Sequence, residues 1–336
     1  MLISKENSTL IKGIVIMMML LSHAFSGARL QLFTPIIYIG NRPLILWLIG
    51  ACSPIPFFMM LSGYGLACKF EISGISPHKQ FPRVLRLYIY YWVILAIFLT
   101  IGHFINPALY PGSLMKLLKN MLGWDTTYNS PMWFLLPYSI LSIVSLYIIQ
   151  AVVKVGNLWS VAITLFINLS TSFTISRFGP WLNDNMIVYQ PLLCFHLLMW
   201  FTMGVVLKRT SLKSDIELPP WGAAAAIILL VVITCLLNSP ICYYIYAPAL
   251  VILLCHVKWP CWISAILLEL GRKSMPIWMI HTWLSHYLFV QQIYSPKYIP
   301  LIFIALLAAS YLISIPVIWI ADRIYRLVTR MACKSK

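Results

Sequence analysis

The sequence predicts an all-α protein that crosses a membrane about ten times. Three observations predict this fold class: the composition, the length of the apolar segments and the placement of the basic residues. Of the 336 residues, 61% are hydrophobic and 10% are charged, and the mean hydropathy is +0.87. Soluble domains have about 25% charged residues, so this composition excludes an ordinary soluble protein.

Apolar segments of about 20 residues, the length that a helix needs to span a bilayer, recur along the whole chain. The second segment is interrupted by Pro54 and Pro56, and the eighth is short. No soluble domain and no internal repeat is evident, so we expect one integral membrane domain over residues 1–336 with no appended soluble domain. The predicted spans are about 9–26, 44–68, 84–104, 132–153, 158–175, 186–207, 220–237, 241–257, 274–290 and 300–321.

The lysines and arginines are unevenly distributed between the connections and thereby predict an orientation. If the amino terminus is cytoplasmic, about three quarters of the 24 basic residues face the cytoplasm, which supports an even number of spans with both termini cytoplasmic. The net charge of +16 then reflects topology and attraction to anionic membrane lipid, and no nucleic-acid partner is expected. The basic residues on the outer side are Arg29, Arg42, Lys116, Lys119, Arg177 and Lys297.

Two other interpretations of the sequence receive little support. A cleaved signal peptide over residues 1–28 would explain the basic start and the small residues near Ala24, but Lys12 interrupts its apolar run. Most of the eight cysteines fall within apolar spans, and none forms a CxxC pair or a metal-ligand spacing with histidine. We therefore expect neither a disulfide framework nor a metal site.

The first span contains two ionisable residues, Lys12 and His23. Their separation makes about three helical turns, so they lie on nearly one face, roughly 16 Å apart along the axis. Ionisable residues within a span are costly and mark candidate functional sites. The alternative is that Lys12 reaches the near headgroups while His23 lies in water at the far end.

Arg83 and Arg86 lie three residues apart at the predicted cytoplasmic end of the third span. Pro82 suits a helix start, and residues three apart share one face. Two guanidiniums at a positively polarised helix amino terminus form a suitable cradle for phosphate groups. The alternative is a topological anchor that contacts lipid headgroups.

Two aromatic-rich elements are further candidates. The second span closes with the element Phe57 to Tyr64, in which Ser62 and its small neighbours favour close helix packing or form the wall of a ligand channel. Trp133 opens the fourth span. It is either an interfacial anchor or a platform against which an acceptor stacks.

The predicted ninth span begins within the element Gly271 to His281, preceded by Glu269. His281 lies roughly 10 Å beyond Ser274 along a helix and is expected near the middle of the membrane. Glu269 is either a site residue or the partner of Arg272 in a structural ion pair. Four other histidines have no second matching feature and are interpreted as polar contacts or residues of wet cavities, namely His103, His196, His256 and His286.

Together these elements resemble the acyltransferase 3 family, integral membrane enzymes that modify bacterial surface glycans. The resemblance covers nearly the whole chain, in order. Family members commonly carry arginine at the first basic position, where this chain has Lys12, which keeps the charge without the forked geometry of a guanidinium. The matching elements are Lys12 with His23, Phe57 to Tyr64, Arg83 with Arg86, Trp133 to Leu135, and Gly271 to His281.

The resemblance implies transfer of an acyl group, usually acetyl from acetyl-CoA, onto a sugar hydroxyl of a cell-surface polysaccharide or its lipid-linked precursor. It also implies a multi-pass protein of the bacterial plasma membrane. His23 would act as the general base or as a transient acyl carrier, because neutral histidine is suited to proton removal near pH 7. Arg83 and Arg86 would bind the phosphates of CoA from the cytoplasm, and Lys12 would help to hold the acyl donor or tune His23 at a distance. The residues expected to contact substrate are Ser62, Trp133, Glu269 and His281.

The main alternative is a transporter or flippase for lipid-linked sugars that uses Lys12, His23 and His281 as a polar pathway. A transporter is expected to show internal repeats, and none is found. A membrane glycan polymerase is a second alternative. Such a polymerase is expected to have a large outer connection rich in arginine and histidine, whereas the longest outer connection here, about 105–130, carries few basic residues. The acceptor, the acyl chain and the oligomeric state are not determined by the sequence.

Overall fold

The computed structural model describes residues 3–74, 76–210 and 219–334, and within these ranges the chain is almost entirely helical. The predicted all-α class is confirmed, since the strands Tyr38–Ile39 (β1) and Arg42–Pro43 (β2) form only a short antiparallel hairpin. The helices are Lys5–Ala24 (α1), Leu44–Leu48 (α2), Ile55–Ser73 (α3), Pro77–Ile105 (α4), Leu114–Met121 (α5), Leu135–Ile143 (α6), Ser145–Val155 (α7), Asn157–Asp184 (α8), Met186–Arg209 (α9), Pro220–Leu237 (α10), Tyr243–Leu254 (α11), Cys261–Arg272 (α12), Ser274–Thr282 (α13), Val290–Tyr294 (α14) and Ile299–Lys334 (α15).

Six helices of the described chain are long and apolar enough to cross a membrane, and the bent pair α6–α7 raises the count to seven. The predicted fourth span is therefore broken, with a bend of 63° near Val144. Ser145 contributes to this break, because its hydroxyl donates to the carbonyl oxygen of Ser142 at 2.7 Å and competes with the regular helical pattern. The shorter apolar helices α10 and α11 occupy the predicted seventh and eighth spans.

The described residues form two compact units, each built from two separate stretches of the chain. Unit 1 comprises residues 1–61 and 211–312, and unit 2 comprises residues 62–210 and 313–336, apart from the residues outside the described ranges. The predicted cytoplasmic basic residues Lys213 and Lys336 lie outside the described residues.

In unit 1, helix α12 packs against α1, although the sequence predicts a polar connection over residues 258–273. Gly13 of α1 approaches the carbonyl of Leu267 so closely that a Cβ atom at Gly13 would collide with it. The same is true of Gly271 against the carbonyl of Thr9. These two close approaches run in opposite chain directions, so the helices are antiparallel and their register is fixed by glycine.

In unit 2, helices α8 and α9 pack together along a polar seam. Asn168 is 1% exposed, and its amide donates to the carbonyl oxygen of His196 at 2.5 Å. The hydroxyls of Thr171 and Ser172 each lie 3.4 Å from Nδ1 of His196. Such interhelical hydrogen bonds stabilise helix pairs in lipid, as expected for a histidine interpreted as a polar contact.

Helix α4 begins earlier than the sequence predicts. Ser76 caps it by accepting a hydrogen bond from the amide of Lys79 at 3.3 Å, and Pro77 occupies the first turn. Pro82 therefore lies inside the helix and does not start it. Arg83 and Arg86 project from the second and third turns, one turn further from the helix amino terminus than expected.

Candidate active site

Two histidines from different elements of unit 1 meet directly. His23 lies in the last turn of α1, and His281 lies in the last turn of α13. His23 Nδ1 and His281 Nε2 are 2.8 Å apart, and the rings stack with centroids 5.0 Å apart. His281 is 0% exposed, whereas His23 is half-buried, so only His23 is accessible to a substrate.

The hydrogen bonds of His281 determine which nitrogen of each ring carries a proton. His281 Nδ1 lies 2.7 Å from the carbonyl oxygen of Trp278, and since a carbonyl oxygen only accepts, Nδ1 is protonated. In a neutral imidazole the other nitrogen, Nε2, is then an acceptor. His23 Nδ1 must therefore donate to His281 Nε2. Nε2 of neutral His23 is left with a lone pair that can accept a proton.

A third histidine, His286, lies beside this pair. Its ring centroid is 6.3 Å from that of His23. The segment Trp283–Tyr287 is a π-helix, a form that is often found at functional sites. Ser285 within it donates to the carbonyl oxygen of His281 at 2.9 Å, and its hydroxyl lies 2.8 Å from His286 Nδ1. The sequence interpretation of His286 as an unrelated polar contact misses this proximity.

Arg29 adds a positive charge to the histidine cluster, which we define as His23, His281 and His286. Its Nη1 donates to the carbonyl oxygen of Ser285 at 3.0 Å, and its guanidinium interacts electrostatically with His23 and His286. A fixed cation suits a site where negative charge develops on a reacting oxygen. Within the described residues, no group of three or more His, Cys, Asp or Glu side chains has the arrangement of a metal site.

Lys12 is half-buried on the same continuous helix as His23. The helix keeps the predicted axial separation, so about 16 Å lies between the two positions and no direct hydrogen bond joins them. Lys12 and His23 thus lie on one helix, as predicted, but Lys12 is not part of the histidine cluster.

Glu269 forms a network of its own in unit 1. It accepts hydrogen bonds from Arg272 Nη1 at 2.8 Å, from Lys273 Nζ, and from the hydroxyl of Tyr311 at 3.0 Å. The hydrogen bond from Lys273 is the main cause that lowers the pKa of Glu269 below its ordinary value. Desolvation opposes the charge on Lys273, but the hydrogen bonds to Glu269 and Tyr311 raise its pKa overall. This geometry is that of the structural ion pair predicted as one of the two alternatives.

Unit 2 brings together two predicted site residues, Ser62 and Arg83. Nη2 of Arg83 donates to Ser62 Oγ at 3.2 Å and to the hydroxyl of Tyr138 at 2.5 Å. Ser62 also lies 3.4 Å from the Tyr138 hydroxyl. Next to Ser62, a Cβ atom at Gly63 would collide with the carbonyl of Phe201. This element therefore provides close helix packing and also a partner for Arg83.

Arg86 has a different set of partners. Its Nη2 is 2.9 Å from Asp322 Oδ1, and the same carboxylate oxygen accepts from the hydroxyl of Tyr90 at 2.7 Å. Trp133 is half-buried in the 3-10 helix Ser130–Phe134, where its ring meets Phe134 edge-on at 6.1 Å. Among the described residues, Trp133 has no ring contact with another predicted site residue.

A comparison with protein families identifies the chain. A sequence model of the acyltransferase domain that defines the acyltransferase 3 family matches residues 6–322. No curated protein and no solved structure shows significant similarity to the chain. The family match spans both units and includes every predicted site residue. The chain therefore belongs to the acyltransferase 3 family and is a multi-pass membrane acyltransferase.

Proposed function

We propose that this protein transfers an acetyl group from acetyl-CoA to a sugar hydroxyl of a cell-surface polysaccharide or its lipid-linked precursor. The observation that carries the proposal is the hydrogen bond between His23 Nδ1 and His281 Nε2. It leaves Nε2 of His23 as an unprotonated nitrogen on a half-buried residue, which is what a general base requires.

In the proposed reaction, acetyl-CoA supplies an activated acetyl group as a thioester. His23 Nε2 removes the proton of the sugar hydroxyl as its oxygen forms a bond to the thioester carbonyl carbon. The carbon–sulfur bond breaks, and His23 returns the proton to the departing sulfur, so that the base is regenerated. The Arg29 guanidinium stabilises the negative charge that develops on the carbonyl oxygen.

His281 acts as a positioning residue in this proposal, whereas the sequence predicts that it contacts substrate. Its Nδ1 is held by the carbonyl of Trp278, and its Nε2 accepts the proton of His23 Nδ1. It thereby selects the tautomer of His23 and holds the ring in one orientation. A third group that orients a catalytic base is a recurring arrangement in acyl transfer.

The phosphates of the acyl donor bind at the exposed arginines of α4. Arg83 and Arg86 are both exposed and three residues apart on one helix, and charge-assisted hydrogen bonds from guanidinium groups are strong phosphate contacts. Ser62 and Tyr138 hold the Arg83 side chain in place. Lys12 and Trp133 remain proposed contacts of the acyl donor and the acceptor.

The proposed topology has ten crossings with both termini in the cytoplasm of a bacterial plasma membrane. The distribution of basic residues supports it. Arg83 and Arg86 then face the compartment that contains acetyl-CoA. His23 lies at the end of α1 opposite Lys5, toward the outer side, where the surface glycan is modified.

The test compares cells that express the wild-type protein, His23→Ala or His256→Ala. His256 is a suitable control because it lies just beyond the end of α11, outside the histidine cluster, with its ring Nδ1 2.9 Å from the carbonyl oxygen of Ile252. Acetate released by mild alkali from the purified surface polysaccharide measures O-acetylation. We expect ester-linked acetate with the wild type and His256→Ala but not with His23→Ala. Equal acetate in all three strains, or in none, would contradict the proposal.

A further inference from the structure

The two arginines of α4 differ in the charge of their surroundings. Arg83 contacts two hydroxyl groups, those of Ser62 and Tyr138, and its guanidinium lies 5.8 Å from the centre of the Tyr138 ring. Among the described residues, no carboxylate lies within ion-pair distance of Arg83. Its positive charge is therefore oriented by neutral partners and is not neutralised.

Arg86 is neutralised by a carboxylate. Asp322 of α15 lies 2.9 Å from Nη2 of Arg86, and the Tyr90 hydroxyl donates to the same oxygen. The Arg86 guanidinium also lies 5.8 Å from the ring centres of Tyr90 and Tyr325. Arg86 thus joins α4 to the carboxy-terminal part of α15, and its charge is matched within the protein.

We infer that Arg83 is the phosphate ligand, and that Asp322 is a positioning residue whose carboxylate neutralises Arg86 and holds it away from the phosphate. This inference rests on the proposed function, in which the phosphate belongs to CoA, and it narrows the phosphate site from the arginine pair to Arg83. An anionic lipid headgroup offers the same phosphate chemistry. The two arginines then have different roles: Arg83 binds the anion, and Arg86 joins two helices.

The inference makes a specific prediction about charge. Arg86→Gln leaves the Asp322 carboxylate without its cation, next to the site that receives a phosphate. The uncompensated negative charge repels the ligand, so this single substitution weakens binding. Adding Asp322→Asn removes that charge and restores binding, although Arg86 is still absent. If both arginines bound phosphate directly, removing the Asp322 charge would give only a partial rescue, because the phosphate contact of Arg86 would still be missing.

The experiment is calorimetric titration of CoA into the full chain in nanodiscs of zwitterionic lipid. The variants are Arg83→Gln, Arg83→Lys, Arg86→Gln, Asp322→Asn and the double variant Arg86→Gln/Asp322→Asn. We expect Arg83→Gln to weaken binding by about tenfold or more, since hydrogen bonds to charged groups contribute about 1.5–3 kcal/mol. Arg83→Lys should lose less, because it keeps the charge. Arg86→Gln should also weaken binding, and the double variant should bind within about threefold of the wild type.

Two results separate the inference from the proposed function. If the wild type binds CoA but the double variant binds more than about threefold more weakly than the wild type, Arg86 also binds phosphate, and the inference is wrong although the acyl-donor site stands. If a folded wild type does not bind CoA, the proposed acyl donor is wrong. In that case, native mass spectrometry measures the binding of phosphatidylglycerol to the same variants and tests a lipid headgroup as the source of the phosphate. The same rescue would support the inference for a headgroup phosphate, and its absence would overturn it.

Thermal unfolding of each variant controls for loss of fold. An exposed ion pair contributes about 0–1 kcal/mol, and the side chains of Arg86 and Asp322 are 51% and 33% exposed. We therefore expect small changes in unfolding temperature. Glu71→Gln, which breaks the Lys208–Glu71 ion pair of the same unit, is a matched control that should leave CoA binding unchanged.

Discussion

The histidine cluster of unit 1 and the arginine cluster of unit 2, which consists of Arg83 and Arg86, differ in burial and charge. In unit 1, the histidine cluster is built around His281, which is 0% exposed, and a hydrogen bond joins its ring to that of His23. In unit 2, Arg83 and Arg86 project from α4 as exposed cations. The difference agrees with the two separate tasks that the proposed function assigns to these clusters. A general base needs an oriented ring with a free lone pair, whereas a polyanionic acyl donor needs accessible positive charge.

The largest effect on acetyl transfer is expected when His281, the buried partner of His23, is replaced. His281→Ala removes the acceptor for His23 Nδ1 and frees the ring to change tautomer. We expect acetyl transfer to fall by about a hundredfold, the lower end of what a positioned acid–base group contributes. CoA binding should be unchanged. The assay is ester-linked acetate on the polysaccharide together with CoA titration.

His281→Gln provides a rescue test for the same position. A Gln carbonyl oxygen can accept the proton of His23 Nδ1, so His281→Gln should retain more transfer activity than His281→Ala. A residue that only fills space would show no such order. Equal activity of the two variants would argue against a positioning role for His281.

The second prediction concerns the packing that holds the histidine cluster. Gly271→Ala would force a Cβ atom against the carbonyl of Thr9 and separate α12 from α1. Overpacking of this kind costs about 1–3 kcal/mol. We expect a lower unfolding temperature and reduced transfer. Gly65→Ala is the control, because a Cβ atom there meets no other atom within 4 Å, and it should be silent in both assays.

These packing contacts also explain how much the sequence could predict. His23 and His281 are both identified from the sequence, because ionisable residues are rare in apolar spans. Their contact could not be predicted, since it depends on α12, a helix in a stretch interpreted as a connection, and on the break at Lys273 between α12 and α13. The glycine positions fix the register, but nothing in the sequence names the carbonyl that each one meets.

His286 was missed because of helix geometry. At about 100° per residue in an α-helix, positions 281 and 286 point in different directions. The segment Trp283–Tyr287, which contains His286, is a π-helix, and its wider turn departs from the spacing that an α-helix predicts. Asp322 was missed for another reason: an acidic residue at the end of the last span suggests an ordinary membrane boundary, and its partner Arg86 lies far away in sequence.

The third prediction concerns Tyr138, which orients Arg83 in unit 2. Tyr138→Phe removes the hydroxyl that receives the Arg83 hydrogen bond but keeps the ring beneath the guanidinium. We expect CoA binding to weaken by a few-fold, about 0.5–1.5 kcal/mol for one hydrogen bond. The bound complex should still transfer acetyl at the wild-type rate. A loss of transfer at saturating acetyl-CoA would show that Tyr138 takes part in the transfer step, and it would contradict the separation of binding and transfer between the two clusters.

The smallest expected effect concerns Glu269, which belongs to neither cluster. Because its pKa is lowered in the folded state by Lys273, Glu269 stabilises the fold above its unfolded pKa, and this contribution is lost as the pH falls through the folded value. The side chain is 35% exposed, so solvent screening limits the effect to less than about 1 kcal/mol. Thermal unfolding between pH 7 and pH 3 should show a shallower acid loss for Glu269→Gln than for the wild type. Parallel curves would contradict this assignment.

The most direct test of the account is to measure CoA binding for His23→Ala and Arg83→Gln in the same nanodiscs. If the histidine cluster carries out transfer and Arg83 binds phosphate, His23→Ala binds CoA as tightly as the wild type although it transfers no acetyl group. Arg83→Gln then loses about tenfold or more in affinity. Loss of binding in His23→Ala, or wild-type affinity in Arg83→Gln, would contradict the separation of the two tasks.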